Sequence, residues 1–273
     1  MQARRRRELH WGCERYVSRG YFDGSERNAE IGGLDNALII LWLKRGVRKT
    51  EMRTVEHFAN FAREHLREIL HESGEVLYSA ASTLRPGEVY LIGHNPGGDA
   101  KNRDLPKIGR SLDDLPNKKT NSYLQSWNGR AAGKAPLQRR VRWLLESLGL
   151  DPSKVAASNL IFPRSRDAAG SQFRKYSRLC WPVHEELLGV VQPALVIAYG
   201  NGGQSPYRFL LNQFGPDGEE RCNSGHRPWL CRSFVVPGRF RVVGVPHMSR
   251  YDISAHSEVV EWIKNLSRPR RVS

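Results

Sequence analysis

The sequence predicts an α/β fold: a central parallel four-stranded sheet flanked by helices, with an N-terminal helical extension. Three observations carry this reading. Four short apolar runs, at 88–92, 156–162, 194–199 and 241–245, have the length and bounding residues of strands. The stretches between them are long enough for helices, and strand alternating with helix means parallel pairing with crossovers. Each run is also followed by small polar residues, as expected where the carboxyl ends of such strands face a ligand.

In chain order, residues 1–10 form a basic arm, and 20–33 are rich in Gly, Asp, Ser and Asn and read as loop. Residues 50–70 place Val55, Phe58, Ala59, Ala62, Leu66, Ile69 and Leu70 at helical spacing behind Thr50 as a candidate N-cap. That amphipathic face is a packing face for the main domain. Helical periodicity returns at 137–148, ending at Gly149, and further helices are read at 182–191 and 207–214. A final helix is capped by Ser254 and runs to Leu266. The chain thus divides into an arm and helical extension (1–83), an α/β domain (84–268) and a short basic tail (269–273).

The apolar content, 39% before glycine is counted, suits a packed core and excludes disorder throughout. The longest apolar run, 37–43, is far shorter than the ~18–20 residues a membrane helix needs, so no membrane partner is expected. Arg4 to Arg7 are followed by Glu8, His10 and Glu14 rather than by an apolar stretch, which argues against a signal peptide. The expected location is cytoplasmic, at a bacterial-type nucleoid, or nuclear in a eukaryotic cell. Lys and Arg number 43 against 28 acidic residues, a net charge of +15, which favours a polyanionic partner. The excess is uneven: residues 1–80 carry +2, and 131–180 alone carry +7. Charge alone does not separate nucleic-acid binding from a solvated basic surface.

The four cysteines do not require a disulfide framework in a chain of this length. A zinc site can be drawn through Cys180, His184, Cys222, His226 and Cys231. Neither Cys–His pair has the usual ligand spacing, however, and buried cysteine ordinarily behaves as a small hydrophobe. No metal and no cofactor are assigned.

The chemistry-bearing residues follow the four runs. After the first come Gly93, His94, Asn95, Pro96, Gly97, Gly98 and Asp99; after the second, Pro163, Arg164 and Ser165. The third ends in Tyr199, Gly200, Asn201, Gly202 and Gly203; the fourth is followed by Pro246, His247, Met248, Ser249 and Arg250. Each segment alone is an ordinary turn. Four polar segments at the one face where this architecture places ligands make a convergent pocket with glycine backbone, amides, a histidine and arginines.

Here the residues resemble the uracil-DNA glycosylase superfamily. Gly93-His94-Asn95-Pro96-Gly97 is similar to its first motif in the branches with a G-x-N-P-G core. Asn159-Leu160-Ile161-Phe162-Pro163 resembles the strand-borne Asn and following Pro that read the flipped base. Pro246-His247-Met248-Ser249-Arg250 is similar to the second motif, usually His-Pro-Ser. The resemblance covers roughly 84–266 and implies a DNA base-excision glycosylase that hydrolyses the N-glycosidic bond of uracil or a related damaged base after base flipping. It implies that His247 donates to the base O2, where negative charge develops, and that Asn95 places the water. Gly93 and His94 would line the base pocket, Asn159 would present donor and acceptor to the base edge, and Phe162 would stack on it. Tyr123 and Trp127 are rivals for that stacking role. Gly97, Gly98, Arg164, Ser165, Ser249 and Arg250 would contact DNA. The implied partner is DNA, single- or double-stranded, and the protein is expected to be a monomer.

Met248 stands where the family has Pro, Gly98 where related sequences carry a pocket-shaping residue, and the absence of cysteine from 84–147 argues against an iron–sulfur cluster. Two other functions compete. One is a non-catalytic DNA-binding relative. The other is a phosphate-ester or nucleoside hydrolase using Gly97 and Gly98 as an anion nest and Asp99 as base.

Overall fold

The computed structural model describes residues 54–267 apart from positions 128, 168 and 217. The N-terminal arm, the 20–33 loop, Thr50, Cys13 and the 269–273 tail lie outside the described residues. Within them the architecture is α/β, built on one six-stranded mixed sheet: β1 (Val89–Gly93), β2 (Ala156–Asn159), β3 (Leu195–Tyr199), β4 (Glu220–Asn223), β5 (Leu230–Val236) and β6 (Phe240–Val245). The order across the sheet is β2-β1-β3-β6-β5-β4. The first four of these are the four predicted strands, and they pair in parallel. The sheet is larger than the four strands expected, because β5 and β4 extend it antiparallel from β6.

The reason lies in burial. β1 and β3 are covered on both faces and read as continuous apolar runs, whereas β4 is mostly exposed and carries Glu220, Arg221 and Asn223. β5 interrupts its apolar residues with Arg232 and Ser233. Such strands leave no apolar run for a sequence reading to find.

Helix α1 spans 54–65 and is followed by the 3₁₀ turn Arg67–Ile69; α2 is Ile108–Asp113, α3 Pro136–Ser147, α4 Phe173–Val191, α5 Pro206–Phe214 and α6 Ser257–Ser267. Alternation along the strands sends successive side chains into two layers. Tyr90 and Ile92 of β1 join α1, α4 and α5 in one core, while Val89 and Leu91 join α3 and α6 in the other. Val55, Phe58 and Ala62 of α1, and Leu66 just after it, are buried in the first core, so residues from 54 onward are an integral layer of the α/β unit.

Helix α4 begins nine residues before the predicted start, with Pro182 inside it. The α6 start differs as well. Ser254 lies in a 3₁₀ turn whose Asp252 side chain accepts from the Ser254 N–H, and α6 begins at Ser257. No helix among the described residues is long and apolar enough to cross a membrane.

Candidate active site at the carboxyl ends of the strands

Parallel pairing sets β1 between β2 and β3, with Gly93 opposite Asn159 and, one residue past the Ile92–Ala198 pair, abreast of Tyr199. A Cβ at Gly93 would collide with both the Tyr199 hydroxyl and Asn159 Oδ1. The glycine is therefore what lets the side chains of its two neighbouring strands meet above it. The Tyr199 hydroxyl donates to Asn159 Oδ1 at 3.4 Å. Tyr199 has only one proton to give, so the 2.5 Å contact between the Tyr123 and Tyr199 hydroxyls has Tyr123 as donor. Asn159 is 2% exposed; its side chain interacts with the buried Tyr78 hydroxyl, although its Nδ2 makes no well-formed hydrogen bond among the described residues.

The first-motif segment is tied to the segment after β2 by Leu160 N–H to Gly93 O (2.8 Å) and Ile161 N–H to His94 O (3.0 Å). Asn95 is half-buried, and its Nδ2 donates to Pro96 O (2.8 Å) and to Ser165 Oγ (2.9 Å), with Ser165 O at 3.3 Å. The Ser165 hydroxyl in turn donates to Asp167 O. With the amide nitrogen held this way, Oδ1 is the end of Asn95 left to accept from a ligand or water. His94 is 7% exposed, stacks on Phe173 with ring centroids 5.3 Å apart, and meets Ser171 Oγ at 3.0 Å. Burial and the nearby His247 bring its pKa down to about 4, so it is neutral at physiological pH.

His247 follows β6 and packs edge-on to Tyr199, with ring centroids 5.6 Å apart, which brings it to the Asn159 side of the sheet. The Ser249 backbone N–H donates to its Nδ1 (3.2 Å), and the Ser249 hydroxyl lies 2.7 Å from the same atom. An Nδ1 that accepts from a backbone N–H carries no proton, so in neutral His247 the proton sits on Nε2. Burial, then the charge of Arg250, lowers the His247 pKa and favours that neutral form. Arg140 of α3 fixes the loop by donating to Met248 O (2.8 Å) and Ser249 O (3.0 Å), and it pairs with Asp252 at 3.4 Å.

Several expected roles change. Phe162 is fully buried in the other layer, against His184 at 5.0 Å between ring centroids, and so is not placed to stack on a base beside Asn159. The chain leaves the strand after Asn159, and Leu160, Ile161 and Phe162 all turn into that same core. The aromatics on the Asn159 side are Tyr123, Tyr78 and Trp127, with Tyr123 and Trp127 5.8 Å apart and Tyr78 and Trp127 6.3 Å apart. Ser165 is buried with its hydroxyl committed to Asn95 and Asp167; it orients Asn95 and has no hydroxyl to offer a phosphate. Ser249 is exposed but also orients His247. The Arg164 guanidinium braces the turn by donating to Gly97 O and Ser73 Oγ. Gly97, Gly98 and Arg250 are exposed at the mouth.

Asn201 donates to Leu230 O (2.6 Å) and Gly244 O (3.1 Å), tying β5 to β6 instead of entering the pocket. Asp99 is held as a carboxylate by the Lys101 backbone N–H and by Arg166, which pull its pKa below the usual carboxylate value and make it a poor base. Cys180 and His184 lie in one core, and Cys222 and Cys231 pair across β4 and β5 beside the other. The drawn zinc arrangement is therefore not assembled, and no cluster of three or more metal-ligating side chains occurs among the described residues.

Tyr199 stands in the sequence at the end of the third run but carries no role there, because it reads as the last apolar residue of a strand. The signal that could have found it is its place level with Gly93 and Asn159. A cavity of about 360 Å³ lies at the opposite, amino ends of β1 and β2, lined by Arg85, Glu88, Val89, Leu150, Lys154 and Val155. A smaller one of about 160 Å³ flanks the His247 loop between Arg139, Arg140, Trp143 and Asp252. No protein-family model and no curated protein sequence matches the chain.

Proposed function

We propose that the protein is a DNA base-excision glycosylase that removes uracil or a related damaged base by hydrolysis. The observation that carries this reading is the arrangement of three side chains at one end of the sheet. His247 has its proton on Nε2, Asn95 has its amide nitrogen tied back and its oxygen free to accept, and Asn159 has a buried amide beside the Tyr78 hydroxyl whose nitrogen makes no well-formed hydrogen bond. These are the groups that N-glycosidic hydrolysis needs: a donor to the departing base, an acceptor to orient water, and a reader of the base edge.

As the C1′–N bond breaks, the electron pair leaves with the base and positive charge builds on the sugar. His247 Nε2–H stabilises the negative charge on the base oxygen without giving up its proton, and its neutral form is the one that the Ser249 N–H and its surroundings favour. Asn95 Oδ1 accepts from the water that adds to C1′; an amide is too weak a base to deprotonate it early, so the added water loses its proton to solvent only after the C1′–O bond has formed. The released base anion takes a proton from solvent in turn, which balances the hydrolysis. Arg250 and the exposed Gly97–Gly98 turn meet the DNA backbone at the mouth. Because Asn159 and His94 are buried, base entry requires the walls to part, as base flipping into a tight pocket entails.

The test is a panel of labelled oligonucleotides, each carrying one uracil, hypoxanthine or oxidised pyrimidine, incubated with the protein and then treated with alkali. Strand breaks at the lesion support the reading; lesion binding without breaks points instead to a non-catalytic DNA-binding protein.

A further inference from the structure

The hairpin of β4 and β5 presents a second surface at the end of the sheet where the site lies, and the inference drawn from it rests on the reading of DNA as the substrate. Because β5 runs antiparallel to β6, its first residues lie beside the last residues of β6: Arg232 is level with Gly244, and Asn201 ties Leu230 O to Gly244 O. The loop that joins β4 to β5, residues 224–229, therefore stands next to the His247 loop. The two are in contact. The Tyr251 hydroxyl donates to Ser224 O at 2.6 Å, the Tyr251 ring meets Trp229 edge-on with centroids 6.4 Å apart, and the Tyr251 backbone N–H donates to His247 O at 3.1 Å.

The loop also holds its own shape. The hydroxyl of buried Ser224 accepts from the His226 N–H at 3.2 Å and lies 2.8 Å from Trp229 O, while the Trp229 N–H donates to His226 O at 2.8 Å. The His226 ring stacks on Trp229, with centroids 4.3 Å apart and 17° between the planes. Gly225 has a φ of 76°, and a Cβ there would strike His256, so the loop lies tight against the chain that leads into α6. Glu258, which also borders Gly225, pairs with His256 at 3.3 Å. Arg227 is different. It is exposed, and its guanidinium makes no ion pair or hydrogen bond among the described residues. Other arginines around the mouth are committed: Arg164 to Gly97 O, Arg166 to Asp99, and Arg140 to Met248 O and Ser249 O. The His247 loop offers only Arg250 besides, since Met248 and Tyr251 are fully buried and Ser249 holds His247.

We propose that the 224–229 loop is a second DNA contact, with Arg227 as the ligand of a backbone phosphate beside the flipped nucleotide. An arginine fork matches phosphate geometry, and one carried on a stiff loop has little backbone freedom left to lose on binding. With Arg250 on the adjoining loop it extends the positive rim of the mouth, where a polyanion approaches. A phosphate contact carries no base code, so Arg227 strengthens binding to lesion and undamaged duplex alike.

The experiment titrates the full-length protein against a labelled duplex carrying 2′-fluoro-deoxyuridine, which resists cleavage, and against its undamaged counterpart, over a range of salt concentrations, alongside uracil excision from an ordinary duplex. Arg227→Ala should weaken binding to both duplexes by about three- to tenfold at about 0.1 M salt and make the salt slope shallower by about one, and Arg227→Lys should restore the slope. Arg239→Ala removes the same charge from the turn between β5 and β6, at the opposite end of the sheet, and should leave affinity and slope at wild-type values. A loop that only braces Tyr251 and the His247 loop would instead lower excision in Arg227→Ala with the slope unchanged, which would overturn the proposal.

If Arg227→Ala keeps wild-type affinity and slope, or Arg239→Ala shifts them as much, the contact is refuted, and excision by the wild type alone decides the glycosylase reading. If binding depends on Arg227 but no base is excised from any lesion, the glycosylase reading falls and the DNA contact stands. If the wild-type protein binds neither duplex, both fall.

Discussion

Lowering the pH from about 7 to about 5 should weaken the fold, since His184, His94 and His247 all have lowered pKa values, and the share due to His184 can be isolated by substitution. Its ring is fully buried between β1 and α4, with Tyr90 donating to Nδ1 at 2.9 Å and Nε2–H donating to Leu160 O at 3.1 Å. Burial pulls its pKa from 6.5 down to about 4, only partly opposed by the Leu160 carbonyl. The unfolded chain therefore binds a proton in a window where the folded one does not. Stability from this group is complete above about pH 6.5 and is lost progressively as the pH falls toward 4, where the folded state also protonates. The whole gap corresponds to roughly 3 kcal/mol, of which about 2 kcal/mol is lost by pH 5. The assay is urea unfolding of the wild type and His184→Gln at both pH values. Glutamine keeps an N–H for Leu160 but does not titrate, so the variant should be the less stable at pH 7, and its deficit should shrink by about 2 kcal/mol at pH 5. An unchanged deficit at the two pH values would refute the assignment of a buried neutral His184.

Ser249→Ala should lower single-turnover excision by roughly tenfold with little change in duplex affinity, because it frees the His247 ring without removing it; an equal loss in binding would return Ser249 to a phosphate contact. Gly93→Ala should abolish base discrimination and lower thermal stability, because the added methyl drives Tyr199 and Asn159 apart; a fully active alanine variant would show that they need not meet. DNA affinity should fall with salt at a slope of about −0.9 per phosphate neutralised on duplex, and Arg250→Ala should make the slope shallower by about one. A salt-independent affinity would make the basic surface incidental.

What the sequence disclosed follows burial. The four parallel strands announced themselves because core strands covered on both faces read as unbroken apolar runs, whereas at the edge β4 is polar apart from Cys222 and β5 is broken by Arg232 and Ser233. Pro182 looked like the first residue of a helix, the position where proline is most at home, yet the helix runs on both sides of it. At the site, Asn95, Asn159 and His247 were legible as polar residues breaking apolar runs at strand ends. Their partners were not. Ser165 and Ser249 look like phosphate ligands until the geometry shows what their hydroxyls already hold, and Tyr199 reads as strand core until register sets it beside Gly93. Phe162 was misplaced because the apolar run 156–162 was taken as one strand, whereas β2 ends at Asn159 and Leu160, Ile161 and Phe162 all turn into the other core.

Single-turnover excision of uracil from a defined duplex decides whether His247 and Asn95 act on the breaking glycosidic bond. The wild-type protein should release the base, His247→Ala and Asn95→Ala should each slow release by roughly 10²–10³-fold, and both variants should still bind the lesion duplex with near wild-type affinity. Release at an unchanged rate from either variant, or no release of any base by the wild type, would contradict that role.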